Sequence, residues 1–374
     1  MLYFLSTIAF LFGCSSETNE DGLPCIDVTK SYPEKEIILT DIANVSYLCI
    51  NSDNEEFLYS SEISINCITS NTIVLLDNHS GKILFFSKDG NPRSQFNNKG
   101  QGPEEYLEPQ KVLYDEEANE VFVYSFSNSE ILVYSSAGEY KRKITIPSEI
   151  RATAFYFFDN ESFFLYDATT KSAPDKRFIR ISKADGKVLD YVKLPINETK
   201  LTVQVDGREL PTMTNPVFRT KNGFLLCNPT TDTVFLYDKN KVLSPIICKT
   251  PLVKNLDPMV IMNNCLDYGD YQFINIITIQ FDPASEFLRP TKYLMRNKKT
   301  EEVFHQKISH PDYKGKTFIV HKARIYDEGV FFELELEELK QADRENKLNG
   351  KLKELVASLN EDEDNNVFMF VNFK

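Results

Sequence analysis

Two stretches of the chain repeat one order of apolar runs and polar turns. In each, a β-branched and aromatic run is followed by a four-residue polar turn, a second such run and a turn that contains glycine. The two stretches are residues 72–90 and 120–138. Apolar runs bounded by turn residues indicate consecutive antiparallel strands. The pattern therefore predicts hairpins as the repeated unit of the fold.

Weaker copies of the same unit follow along the chain. Equivalent positions in the five copies are Asp77, Ser125, Asp167, Asn228 and Asn297. The first two spacings, 48 and 42 residues, fit four-stranded propeller blades, whose repeats run about 40–50 residues. The later spacings, 61 and 69 residues, predict insertions at 199–215 and 251–269.

A sixth copy is needed for the remaining apolar runs, at 329–334 and 366–371. A strand near the N-terminus, at 37–39 or at 46–50, could complete a blade with the C-terminal run. Such closure leaves only short, protected strand edges. The predicted fold class is therefore all-β, a six-bladed β-propeller of four-stranded antiparallel blades.

One segment near the C-terminus has helical instead of strand periodicity. Its apolar residues at i, i+3, i+4 and i+7 are Leu352, Leu355, Val356 and Leu359. This spacing is typical of an amphipathic helix, and Asn349 or Gly350 could cap its start. We expect a helical insertion at about 336–360, before the last strand and packed on the propeller.

The N-terminus has the features of an export signal. Residues 1–13 carry no charge and form an apolar run too short to span a bilayer, which is typical of a signal-peptide core. The run ends in Leu11-Phe12-Gly13-Cys14, which resembles the lipobox of bacterial lipoproteins, although no Lys or Arg precedes it. The resemblance implies cleavage before Cys14 and lipidation of Cys14. The alternative is a buried or disordered segment with an incidental cysteine.

The predicted domain organisation has three parts. A signal peptide at 1–13 precedes a lipidated, flexible tether at 14–30, which is polar and rich in turn residues. The propeller then occupies 31–374. The six cysteines after Cys14 form no C-x-x-C pair, so a thiolate zinc site is not expected. Buried free thiols are favoured; an exported protein could form disulfides, but the sequence does not pair them.

Composition narrows the classes of function. The net charge of −13 argues against a nucleic-acid binder, which needs clustered Lys and Arg. The chain has 28 Phe and 18 Tyr but no Trp, and its aromatic residues mostly alternate within predicted strands. We therefore interpret the aromatic residues as packing between blades.

The segment 99–109 resembles the G-x-G-P-G-E-Y segment of six-bladed β-propeller lipoproteins of Bacteroides-type bacteria, which are similar to NHL-repeat propellers. The sequence departs from that pattern at Glu104, where the family usually has glycine. The residues assigned to a structural turn between blades are Gly100, Gly102, Pro103 and Tyr106. A phosphate-binding glycine loop is disfavoured, because Glu105 stands where a third glycine is required.

Catalytic and metal-binding signals are weak. Some NHL-like propellers hold a catalytic zinc through histidines, but surface positions are favoured here. The four histidines are His79, His305, His310 and His321. Acidic loops at 51–56 and 361–366 could offer oxygen ligands to calcium, but neither has the EF-hand order. We assign no catalytic residue, metal ligand or cofactor.

The functional hypothesis is a binding module in the cell envelope. A lipid anchor would hold it at the outer membrane, on the periplasmic or the surface-exposed side. A protein, peptide or glycan ligand would contact the channel face, and the membrane would be its other partner, with no nucleic acid. The alternative hypothesis is a calcium- or zinc-dependent hydrolase or lyase that uses the central channel.

Overall fold

Six blades of four strands surround a central channel in the computed structural model. The structure describes residues 16–50, 55–57, 59, 63–125, 129–168, 173–195, 202–205, 208–211, 216–280, 290–326, 329–360 and 365–374. Each blade is antiparallel, and its strands are called A to D from the channel outward. The predicted six-bladed propeller is confirmed.

The first three blades follow one another along the chain. Blade one consists of Ile63–Ile68, Thr72–Asp77, Ile83–Ser87 and Pro92–Phe96. Blade two consists of Pro109–Asp115, Glu120–Ser125, Glu130–Tyr134 and Tyr140–Thr145. Blade three consists of Ala152–Phe157, Ser162–Asp167, Phe178–Ser182 and Val188–Tyr191. The B and C strands of blades one and two are the hairpins that the sequence repeat predicts.

The last three blades use longer or more distant strands. Blade four consists of Val217–Thr220, Gly223–Leu226, Thr233–Asp238 and Leu243–Thr250. Blade five consists of Val260–Tyr268, Tyr271–Thr278, Thr291–Asn297 and Val303–His310. Blade six consists of Arg324–Tyr326, Gly329–Leu334, Val367–Phe373 and Ala43–Cys49.

The ring is closed by a strand from the N-terminal part of the chain. Ala43–Cys49 pairs antiparallel with Val367–Phe373, with Val45 opposite Val371 and Tyr47 opposite Met369. Of the two sequence-based alternatives, the run at 46–50 is therefore the closing strand. The run at 37–39 overlaps Glu34–Ile38, which lies parallel to the D strand of blade five.

In blade five the repeat assignment from sequence is wrong by one strand. Asn297 ends strand C, whereas Asp77, Ser125 and Asp167 end strand B in their blades. The predicted insertion at 251–269 therefore contains strand A of blade five, Val260–Tyr268. Strands B and C of this blade are separated by twelve residues, 279–290, and this long connection hides the hairpin from a pattern search.

The other predicted insertion, 199–215, contains a two-stranded hairpin of Thr202–Val205 and Arg208–Pro211. A further strand, Tyr313–Phe318, extends the outer side of blade five. The short helices are Leu39–Ile42, Glu55–Phe57, Pro174–Lys176, Val253–Asn255 and Val320–Lys322.

The predicted helical insertion before the last strand is present, but it consists of two helices. They span Leu336–Arg344 and Gly350–Ser358, and a loop separates them. Leu352 and Val356 are buried against the propeller, as their spacing predicts. Asn349 occupies the N-cap position, but its side-chain amide donates to the Pro311 carbonyl oxygen at 3.0 Å instead of capping the helix.

Part of the predicted tether is held against the outer side of the ring. Glu17–Thr18 pairs with Pro24–Asp27, which in turn lies parallel to strand D of blade four. A disulfide joins Cys25 to Cys248, whose Cα atoms are 4.4 Å apart. From Ser16 onward, this part of the chain is thus fixed to the propeller.

Aromatic rings fill the spaces between blades, as the sequence predicts. Between blades two and three, the Phe122 ring lies 5.1 Å from the Phe163 ring, and the Tyr124 ring lies 5.5 Å from the Phe155 ring. Between blades three and four, Phe164 stacks on Phe224 at 4.7 Å. These contacts bury each ring almost completely, and apolar burial is the main stabilising term in such packing.

Candidate ligand site at the central channel

The segment that carries the family resemblance connects strand D of blade one to strand A of blade two. Tyr106 is its buried centre, only 1% exposed. Its hydroxyl donates to the Gly81 carbonyl oxygen at 2.9 Å and accepts from the Asn98 backbone N–H at 2.9 Å. The Gly100 N–H donates to the Tyr106 carbonyl oxygen at 3.1 Å. These contacts hold the connection between the two blades.

Glu105 fills the position where a bound anion would lie in a glycine loop. Its carboxylate accepts a hydrogen bond from the Gly102 N–H at 2.8 Å. A Cβ on Gly100 would lie 1.9 Å from that carboxylate, so Gly100 is required for this close approach. Neither Gly100 nor Gly102 has a positive φ. The Glu105 carboxylate therefore occupies the Gly102 N–H of this loop, and its negative charge would repel a phosphate.

The four histidines do not form a metal site. His79 is exposed in a turn of blade one, as predicted. His305 and His310 lie on strand D of blade five, and His321 lies in the short helix after it. Within the described ranges, no group of three or more His, Cys, Asp or Glu side chains could hold a metal ion. The two acidic loops proposed for calcium lie largely outside these ranges, at 51–54 and 361–364.

The expectation of surface histidines is wrong for His310, which is 4% exposed. Its Nδ1 accepts from the Asp312 N–H at 3.1 Å and lies 3.2 Å from the Tyr47 hydroxyl oxygen. Burial lowers the pKa of His310, although the Asp312 charge opposes that shift. The closing strand of blade six, which carries Tyr47, covers this histidine, and the sequence pattern does not reveal that contact.

His321 is also held neutral. Burial lowers its pKa to about 3, and its Nε2–H donates to the Phe273 carbonyl oxygen at 3.1 Å. The ring stacks on Tyr293 at 5.8 Å. His321 lies in the short helix Val320–Lys322, and its ring therefore links this helix to strand B of blade five.

The central channel contains a cavity of about 410 Å³. It is lined mainly by strand A of five blades and by the short segment that precedes strand A of blade six. The channel-lining residues that carry charge are Lys111, Arg219 and Arg324. The Lys111 ammonium donates to the Asn66 carbonyl oxygen at 2.9 Å. The channel wall therefore carries cations from blades two, four and six.

A larger cavity, of about 770 Å³, lies where strands A of blades three, four and five end and turn into strands B. It shares the lining residues Phe157 and Arg219 with the channel cavity. We call the two together the channel site. Lys221 and Lys239 are exposed at the larger cavity, and Lys298 is half-buried there.

Aromatic rings and neutral polar groups complete the larger cavity. Phe158 stacks on Phe224 with their ring centres 6.1 Å apart, and Phe373 stacks on Tyr268 at 4.8 Å. The neutral polar side chains in the wall are Thr220, Asn222 and Asn372. The cavity thus offers cations, hydrogen-bonding groups and apolar ring surface to one occupant.

Comparison with known proteins places the chain in a family. A family model described as a domain of unknown function, DUF4934, matches residues 23–372. The chain belongs to the DUF4934 family. Comparison with curated proteins finds no match to this chain.

Two solved structures share the fold of this DUF4934 chain. One is a Bacteroides fragilis protein predicted to be exported, with 15% identity, a TM-score of 0.62, and coverage of 91% of this chain and 98% of that one. The other is a DUF4221 member from Bacteroides vulgatus, with 12% identity, a TM-score of 0.50, and coverage of 89% and 97%. The resemblance to six-bladed propellers of Bacteroides-type bacteria is confirmed.

Sequence reasoning assigned no residue to the channel site. The available signal was Thr220-Lys221-Asn222-Gly223, which follows a short apolar run and contains a cation. Three further residues of the site, Lys239, Lys298 and Asn372, lie in turns or strand ends of three different blades. Only the closed ring brings these positions together, so no local pattern marks them.

Proposed function

We propose that this DUF4934 protein is an extracytoplasmic binding module whose ligand occupies the channel site. The observation that carries the proposal is the 770 Å³ cavity, whose volume lies within the range of about 300–1,000 Å³ typical of ligand pockets. A protein, peptide or glycan group could enter it from the exposed side marked by Lys221 and Lys239. The propeller would hold the turns that carry Lys221 and Lys239 in fixed positions.

The alternative, a metal-dependent hydrolase or lyase in the channel, is not favoured. Such an enzyme needs acidic or histidine side chains that converge on one point. The charged side chains that line the channel cavity in the described part of the chain are lysine and arginine. These side chains repel a metal cation instead of binding it.

Placement in the cell envelope rests on three observations. The N-terminal segment resembles a lipoprotein signal, a structurally similar Bacteroides fragilis protein is predicted to be exported, and Cys25 forms a disulfide, which persists in oxidising compartments. No helix in the described ranges is long and apolar enough to cross a membrane. We propose a lipid on Cys14, which lies outside the described residues, as the anchor to the outer membrane.

An anchor at Cys14 would hold the propeller close to the membrane. Ser16 is fixed to blade five, because its N–H donates to the Glu301 carbonyl oxygen at 2.8 Å and its hydroxyl donates to the Glu301 carboxylate at 2.7 Å. Two residues span about 7 Å at full extension. The lipid would therefore be separated from the ring by only that length.

Fractionation tests the anchor. In the Cys14→Ala variant, expressed with the whole chain in its own host, we expect the protein to move from the membrane fraction to the soluble fraction. Cys67→Ser is the control and should leave the protein with the membranes. Membrane retention of Cys14→Ala would refute the lipid anchor without affecting the proposed binding site.

Ligand arrays test the binding site. The purified propeller would be applied to glycan and peptide arrays beside Asn222→Trp, which fills the larger cavity from its wall. Asn240→Trp, at an exposed turn outside the cavity, is the matched control. We expect the bound array members to be lost with Asn222→Trp and kept with Asn240→Trp. Equal binding by all three proteins would place the ligand elsewhere.

A further inference from the structure

The channel site has the opposite charge from the rest of the molecule. The cations that line its two cavities are Lys111, Arg219, Lys221, Lys239, Lys298 and Arg324. Asp267 is the one carboxylate among the described lining residues. The whole chain has a net charge of −13, with 55 acidic residues against 42 basic ones. Chance placement of side chains would therefore favour an acidic lining, and the site is cationic instead.

The single carboxylate is already occupied. Asp267 Oδ1 accepts from the Lys298 ammonium at 2.6 Å, and its Oδ2 accepts from the Gln272 amide at 3.1 Å. Lys221, Lys239 and Arg324 have no carboxylate within 4.0 Å in the part of the chain that the structure describes. Among the described residues, no carboxylate therefore neutralises Lys221 and Lys239 at this opening.

The position of the cations favours a ligand that reaches into the channel. Arg219 lines both cavities, with Lys221 and Lys239 at the outer opening and Lys111 and Arg324 in the channel wall. The Arg324 guanidinium can donate two parallel hydrogen bonds to one carboxylate. Anionic groups spaced along a ligand could therefore meet cations at two depths.

The rest of the wall suits a sugar. The half-buried Phe373 ring stacks on Tyr268 with one face, and its remaining apolar surface can contact the C–H groups of a sugar ring. The amides of Asn222 and Asn372 and the Thr220 hydroxyl can hydrogen-bond with sugar hydroxyls. A cavity of about 770 Å³ holds a few sugar units.

We infer that the channel site binds an acidic oligosaccharide, whose carboxylate groups pair with Lys221 and Lys239. This inference rests on the proposed binding function and names the class of ligand. The negative charge of the remaining surface would repel acidic chains elsewhere on the molecule, so that binding is confined to this opening.

Isothermal titration calorimetry with the full propeller tests the inference. The probe is trigalacturonate, and galactotriose is its neutral counterpart with the same ring. We expect trigalacturonate to bind at low salt, to weaken several-fold at about 0.15 M ionic strength, and galactotriose to bind at least tenfold more weakly. Equal binding of the two sugars would overturn the inference, as would no binding of trigalacturonate.

Charge reversal identifies the residues. Lys221→Glu/Lys239→Glu should weaken trigalacturonate binding at least tenfold. Lys254→Glu/Lys351→Glu makes the same change in net charge at exposed positions outside both cavities, and should leave binding unchanged. An equal loss in both double variants would mean that only overall charge matters, and would overturn the assignment to this site.

A peptide probe separates this inference from the proposed function. Triglutamate carries carboxylates without sugar rings. If triglutamate binds as tightly as trigalacturonate or more tightly, the acidic-sugar assignment is wrong. If the arrays give neutral ligands that Asn222→Trp abolishes while trigalacturonate does not bind, the binding function stands and the inference of an acidic ligand falls.

Discussion

Single glycines set how closely neighbouring blades approach. Gly90, Gly138 and Gly186 lie in the turns between strands C and D of blades one, two and three, with φ of +81°, +83° and +76°. A Cβ on Gly186 would lie 2.4 Å from the Thr145 carbonyl oxygen of blade two. A Cβ on Gly90 would lie 2.5 Å from the Cys49 carbonyl oxygen. These turns thus require glycine both for their backbone conformation and for contact with the preceding blade.

We predict that Gly186→Ala is more destabilising than Gly315→Ala. Both have φ near +80°, but nothing lies within 4 Å of a Cβ on Gly315. Gly315→Ala should lower the free energy of unfolding by about 1–2 kcal/mol through backbone strain alone. Gly186→Ala should lower it by a further 1–3 kcal/mol, roughly the cost of overpacking. Urea denaturation measures both values, and equal losses would contradict the contact with Thr145.

His321 makes stability depend on pH. The folded protein keeps this ring neutral down to about pH 3, whereas in the unfolded chain it takes up a proton near its ordinary pKa of 6.5. Between these values the unfolded state binds more protons, so stability falls as the pH falls.

We expect His321→Gln to reduce this pH dependence. Glutamine keeps a side-chain N–H for the Phe273 carbonyl oxygen but does not titrate. Below pH 6.5 the free energy of unfolding should fall less steeply than in the wild type, by up to about 1.4 kcal/mol per pH unit. Urea denaturation between pH 7 and pH 4 tests this, with the exposed His79→Gln as control. If His79→Gln changed the slope as much as His321→Gln, burial of His321 would not be the cause.

At the scale of elements, the strand Pro24–Asp27 extends blade four beyond its four strands. It lies parallel to strand D, and Cys25 stands opposite Cys248 in that register. The disulfide joins residues 223 positions apart, so it restricts most of the unfolded chain. The two neighbouring side chains Ile26 and Val28 are buried in the core.

We predict that removing this disulfide destabilises the whole propeller. Cys25→Ser/Cys248→Ser should lower the free energy of unfolding by about 2–5 kcal/mol, the usual effect of losing a native disulfide. Thermal denaturation should show that a reductant lowers the Tm of the wild type and of the control Cys67→Ser, but not that of the double variant. A double variant that remained sensitive to reductant would show that another cysteine pair is responsible.

At the scale of the molecule, six similar sheets form one ring because each buries both faces against its neighbours. The seam between blades six and one is packed like the others. Phe331 and Phe368 of blade six form one apolar cluster with Ile73, Leu75 and Phe86 of blade one. The apolar packing at the seam therefore resembles the packing between the other blades.

We predict that the ring unfolds as one unit. Phe368→Ala, at the seam, and Phe122→Ala, between blades two and three, each remove a ring that is at most 1% exposed. Each should lower the free energy of unfolding by about 3–5 kcal/mol and shift a single transition. Urea denaturation followed by circular dichroism and limited proteolysis tests this. An early, separate loss of blade six in Phe368→Ala would contradict a closed ring.

The sequence predicts the features that depend on local pattern and leaves open those that depend on ring geometry. The first two hairpins and the amphipathic run at Leu352 and Val356 are local, so their apolar spacing is sufficient. The pairing of Cys25 with Cys248 depends on a parallel strand contact far apart in sequence. The channel site depends on which side of each A strand faces inward, and bulges such as the one between Ala152 and Ala154 change that side.

The closing strand also determines when, during folding, the ring can close. Ala43–Cys49 has no partner in blade six until Val367–Phe373 has been made, since these two segments lie at opposite ends of the chain. Contacts of such sequence separation form slowly, because the intervening chain must be ordered first. For an exported chain, the ring would therefore close only after nearly the whole chain has crossed the membrane. A chain that stopped short of residue 367 would leave both Ala43–Cys49 and Gly329–Leu334 with an unpaired edge, a form open to proteolysis and aggregation.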